Sequence, residues 1–130
     1  MSSAMNAPAI PQSLAERFAA TYADFVSALE VAVQSAPQHP DFATSAALRA
    51  LEQRALPELR NQLANVQAAV QNYVDGDVAP LLAAAHAAQS LSRELDGYDL
   101  NINHTGNYIR EQLTYVVMSA YQVITAAGVA

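Results

Sequence analysis

No glycine occurs in the first 75 residues of this chain, and the 130 residues hold only four, at positions 76, 97, 106 and 128. Tight turns between strands need the positive-φ conformations that glycine supplies, so a sandwich or barrel would lack its turn residues. Alanine sharpens the constraint. It fills 28 of the 130 positions, favours helices more than any other residue and is depleted in strands. Hydrophobic residues make up 52% of the chain but aromatic residues only 7%, and Trp is absent. Its apolar surface therefore comes from small side chains that let helices approach closely. The expected fold is all-α, a small helical bundle built on a long antiparallel helical hairpin plus two further helices. A chain of this length forms one domain and buries roughly two thirds of its unfolded surface.

Residues 1–12 are small, polar and Pro-bearing, the profile of a disordered N-terminus ahead of one helical domain over 13–130. Ser13 and Glu16 have capping-box spacing. Leu14, Phe18, Tyr22, Phe25, Val26, Leu29 and Val33 then recur at steps of three and four, which predicts a first helix to about Ala36, stopped by Pro37-Gln38-His39-Pro40. The pattern restarts after Asp41 with Leu48, Leu51, Ala55, Leu59, Leu63, Val66, Val70 and Tyr73. Pro57 interrupts it, so the helix either kinks there or begins anew with Pro57 in its first turn. Gly76 is placed to close this helix and Asp77 to cap the next. That next helix carries Leu81, Ala84, Ala88, Leu91 and Leu95 and ends at Asp96-Gly97. An Asn-rich loop is expected over 98–106. In the last helix, Tyr108, Ile109, Leu113, Val116, Val117, Ala120, Tyr121 and Ile124 are expected on one face, although its β-branched content also leaves a strand open.

Twelve acidic residues oppose six Arg and no Lys, a net charge of −6. Phosphate backbones are bound by clustered cations, so nucleic acid is not an expected partner. Cys is absent, which excludes disulfides and thiolate chemistry. The first residues contain neither a basic start nor an apolar run, so the expected location is cytoplasmic, or outside the cell without a cleavable signal peptide.

Residues with catalytic or ligating chemistry do not form a site. His86 has no ligand-type residue three or four positions away, and His39 and His104 fall in predicted loops. Ser residues lack the Gly-flanked elbow of a nucleophile, and the carboxylate pairs Asp75/Asp77 and Asp96/Asp99 sit where helix caps belong. Starting at Asn101, the loop matches the calcium-loop positions 1, 3, 5 and 6, but it supplies amides and Gln112 where carboxylates are needed. The reading is a non-enzymatic chain with no cofactor and no metal.

From Gln112 to Ala130 no side chain carries a charge. That stretch approaches the length of a membrane span, but Gln112, Thr114, Ser119, Gln122 and Thr125 break it and no basic residue flanks its far end. Burial in the core or against a protein partner, self or another helical protein, is favoured over insertion into lipid. The expected interface residues are Ile109, Leu113, Val116, Val117 and Ile124. Arg110, at the polar start of the helix, is read as a solvated charge.

The blocks Ala46-Ala47-Leu48 with Pro57, Ala68-Ala69, Tyr73-Val74-Asp75-Gly76-Asp77 and the Ala-rich run 83–89 resemble small actinobacterial helical-hairpin proteins related to type VII secretion substrates and accessory proteins. The likeness spans residues 13–90, and Tyr73 with Asp77 matches the Tyr-x-x-x-Asp/Glu pattern of such substrates. The Trp-x-Gly turn of that group has no counterpart here. What the resemblance implies is a hairpin that pairs with another helical protein, with Tyr73 and Asp77 at the contact.

Millimolar calcium or zinc should leave the thermal midpoint unchanged. A rise of several degrees with calcium, abolished by Asn101→Ala, would show that the Asn-rich segment is a metal loop after all.

Overall fold

The computed structural model describes residues 10–34, 42–73, 78–95 and 104–128. Every regular element among them is helical: α1 (Gln12–Gln34), α2 (Phe42–Ala50), a π-helical turn (Leu51–Ala55), α3 (Leu56–Gln71), α4 (Ala79–Gln89), α5 (Leu91–Leu95) and α6 (His104–Ala126). The α2–π–α3 run forms one continuous rod, so four rods make the bundle. Helix α1 packs against α6 and α3, and α4 closes the ring between α3 and α6.

Helix α1 supplies the centre. Phe18, Tyr22, Phe25 and Leu29 are fully buried. Phe18 and Tyr22 meet edge to face at 6.0 Å, and Tyr22 and Phe25 at 6.5 Å, the geometry that aromatic quadrupoles prefer. Small residues complete the face, with Ala15, Ala28 and Ala32 buried beside them. The start differs from the expectation. The helix begins at Gln12, with the carbonyl of Pro11 accepting the backbone amides of Leu14 and Ala15, and the Glu16 carboxylate accepts from the Gln12 side-chain Nε2 at 3.4 Å. Ser13 therefore lies inside the first turn and the capping box does not form. Nor is the chain frayed through residue 12, because Ile10 is buried and donates its amide to the Tyr73 hydroxyl at 2.9 Å. The expected turn at 37–40 lies outside the described residues.

Pro57 lies in the first turn of α3, as the second of the two readings had it, and the rod runs through without a break. The amide of Leu56 bonds to the carbonyl of Leu51, five residues back, which widens the turn just before the proline. Such an inserted residue gives room where a proline ring would otherwise press on the preceding turn. The apolar spacing follows the insertion. Leu48, Leu51, Leu56 and Leu59 are buried, a step of five across the π turn, while Ala55 is only half-buried.

Helix α3 ends at Gln71, and α4 is preceded by Val78, which makes no side-chain cap; the expected closing and capping residues Gly76 and Asp77 lie outside the described residues. The expected single helix to residue 95 is divided at Ser90, whose hydroxyl bonds back to the Ala87 carbonyl at 2.9 Å. Of the expected Asn-rich loop over 98–106, residues 104–106 are helical because α6 already starts at His104, and 98–103 lie outside the described residues. Residues 104–112 of the calcium-loop register are therefore helical, and the strand alternative for the last element is removed.

Val116 is fully buried on α6 between the other rods. Val116→Asp places a carboxylate where the fold offers no water, at a cost of about 3–5 kcal/mol. Chemical denaturation should show that loss; a midpoint equal to wild type would place Val116 outside the core.

Candidate functional site

Three places on the bundle concentrate polar or exposed apolar groups. The first surrounds the Tyr22 hydroxyl, which donates to the Gln62 side-chain oxygen at 2.7 Å from inside the core. Burial, with the Glu94 and Glu58 carboxylates adding to it, pushes the Tyr22 phenol well above its ordinary range. A phenol held neutral in this way is neither a base nor a nucleophile at physiological pH. It anchors α1 to α3.

The second is a groove between α3 and α4 with a volume of about 530 Å³. Alanines 68, 69, 83, 84 and 87 form its walls, and Gln62, Asn65, Asn72 and Tyr73 supply the polar groups. The small side chains create it, since methyl groups leave space where two rods diverge. Its lining can hydrogen-bond and match a shape, and it carries no charge.

The third is the outer face of α6. Tyr108, Tyr115, Met118 and Tyr121 are 47–59% exposed, while Val116, Ala120 and Val123 of the same helix are buried. Met118 stands between two clefts. One, about 290 Å³, lies toward α4 and is lined by Gln89, Val117, Met118, Tyr121 and Gln122. The other, about 160 Å³, lies toward α1 and includes Arg17, Thr21, Tyr115 and Gln122. The Gln89 amide donates to the Val117 carbonyl at 2.9 Å and holds the α4 side of this surface in place. No Asp, Glu, Lys or Arg occurs in 61–73, 78–92 or 112–130. The groove lining is thus uncharged, and α6 beyond Glu111 carries no charge of its own, with Arg17 of α1 at the edge of its exposed face. The described charges lie on α1, on α2 and the rod through Arg60, on α5 and at the start of α6.

The residues singled out from sequence fare differently. Ile109, Leu113, Val116 and Ile124 are buried in the chain's own core, and Val117 is half-buried against it. As partner-facing residues they are corrected, because α1 and α4 already cover that arc. Tyr73 is half-buried, with its hydroxyl occupied by Ile10. Tyr108 and Tyr121 point outward rather than sharing the core face. Tyr115 and Met118 were missed as surface residues, yet the signal was present: at about 100° per residue Met118 falls opposite Val116 and Ala120, and Tyr115 falls well off their arc. Arg110 is not a fully solvated charge, since its Nε is buried. His86 is exposed, and His39 lies outside the described residues.

Among the described residues no three of His, Asp and Glu gather into a group able to hold a metal ion. None of the helices among them is long and apolar enough to cross a membrane. No family model, curated protein or solved structure matches the chain.

The Tyr22 environment sets a pH dependence. Unfolded tyrosine loses its proton near pH 10, whereas the folded phenol holds it to higher pH. The contribution to stability is therefore complete below about pH 10 and declines as pH rises beyond it. Denaturation at pH 9 and pH 11 should show that decline, reduced in Tyr22→Phe; equal slopes in both proteins would dissociate the loss from Tyr22.

Proposed function

We propose that the chain is a non-enzymatic helical protein-interaction module that docks a protein partner through the outer face of α6. One observation carries this reading: Tyr108, Tyr115, Met118 and Tyr121 are exposed together on a helix whose opposite face already fills the core. Scattered apolar residues are ordinary on protein surfaces, but a group of large ones along one helix, with a single exposed acidic residue, Glu111, among them, is characteristic of contact sites. Tyr and Met are also residue types enriched in interface cores, where charged groups are depleted. The clefts beside Met118 add relief that a flat surface lacks.

The resemblance to secretion-associated hairpin proteins fits a binding role with a helical partner, and it rests on residues 13–90, separate from the α6 face. The α3/α4 groove is a secondary contact region in this reading. It is uncharged and of a size to take apolar side chains from a partner.

A photoreactive benzophenone side chain placed at Tyr115 should cross-link to a polypeptide in cells of the source organism, and the same group at Glu52, exposed in the π turn, should not. Equal labelling at the two positions, or none at 115, would remove the α6 face as a protein-binding surface.

A further inference from the structure

We propose that the occupant of the α6 face is a second copy of the same chain, paired antiparallel about a twofold axis near residues 116 and 117. This rests on the interaction reading above and names its partner. The register follows from the exposed stripe. Tyr108, Glu111, Tyr115, Met118, Gln122 and Thr125 are exposed on α6 at steps of three and four. Reversing the stripe on itself brings Tyr108 opposite Thr125 of the second copy, Glu111 opposite Gln122, and Tyr115 opposite Met118. An isologous contact requires such self-complementarity.

Charge favours this pairing over others. Glu111 is the one acidic residue of the stripe, and Gln122 lines the cleft that also contains Arg17. The antiparallel register therefore delivers each Glu111 carboxylate to the Arg17 side of the opposite copy, forming two equivalent ion pairs at the rim. A parallel pairing would set Glu111 against Glu111. The remainder of the stripe is neutral, so two molecules of net charge −6 approach without opposing like charges at the contact.

The available area is also sufficient. An aromatic or Met side chain presents about 200 Å², and about half of it remains exposed at Tyr108, Tyr115 and Met118 of the stripe and at Tyr121, which flanks it. With the polar residues between them, each copy contributes roughly 700 Å² and the pair about 1,400 Å², within the range of stable specific interfaces. Tyr115 of each copy meets Met118 of the other, between the two clefts.

Sedimentation equilibrium should find a dimer at micromolar concentration. Arg17→Glu and Glu111→Arg should each weaken it about tenfold, and the double charge swap should restore it, because every rim pair is then re-formed with reversed sign. Orientation has an independent test, since the chain has no Cys of its own. Tyr108→Cys mixed with Thr125→Cys should oxidise to a mixed disulfide dimer. Tyr108→Cys alone should not, its two thiols being about 25 Å apart at 1.5 Å per residue. Circular dichroism of each variant verifies that the fold is kept.

A chain that stays monomeric at about 100 μM would overturn the proposal, whether or not it sediments with phosphatidylcholine vesicles. So would a double swap that fails to restore the dimer, or a Tyr108→Cys protein that cross-links to itself. The benzophenone adduct at Tyr115 separates this failure from failure of the interaction reading. An adduct of twice the chain mass accords with the second copy, whereas an adduct to another polypeptide keeps the interaction surface and removes self-pairing.

Discussion

The aromatic ridge of α1 is the contact on which the other rods depend. Phe18, Tyr22 and Phe25 are three of the few large side chains in an Ala-rich protein, and they occupy the middle of the bundle where alanine methyls alone would leave voids. Their edge-to-face contacts fix ring orientation, and the Tyr22 hydroxyl fixes the height of α3 through Gln62. Around this ridge, small residues are an advantage, because they allow neighbouring helices to approach until dispersion contacts are made. The exposed Arg60–Glu30 ion pair, 2.8 Å long, spans the same two rods and contributes little by comparison.

The π turn before Pro57 shows how backbone and packing are matched. Had the rod continued as an ideal α-helix, the proline ring would have met the preceding carbonyl, and the step from Leu51 to Leu56 would have rotated one of those leucines out of the core. One inserted residue relieves both conflicts at once. The same element could not be inferred by counting in threes and fours, because a period of 3.6 assigns Ala55 to the stripe.

Charge is partitioned along the molecule rather than dispersed. Helices α3 beyond Arg60, α4, and α6 beyond Glu111 carry none. Solubility then depends on the charges of α1, the first rod segments and the connecting stretches, and the charge-free segments remain suited to contact with other molecules. The groove and the α6 face both draw on these charge-free segments, yet they differ in construction. Missing side-chain volume makes the groove; protruding aromatic and thioether groups make the face.

Helicity, the buried stripe of α1 and the inward arc of α6 were legible in the sequence, because apolar side chains repeat with the period of a helix and alanine suits no competing structure. Local chemistry also marked Pro57 as a point of conflict, though only the packed rod showed that a π turn resolves it. Periodicity reports the direction in which a side chain points but not what lies there. Ile109, Leu113 and Val116 look the same in sequence whether α1, α4 or a second protein covers them. Tyr108 and Tyr121 are equally ambiguous, since a tyrosine ring suits a core and its hydroxyl suits water. The termini of elements were the least legible: nothing near Ile10 reveals that the Tyr73 hydroxyl, 63 residues away, will accept its amide. Tertiary structure settled these cases because burial is a property of the surfaces that come together, and a linear pattern specifies only one of the two.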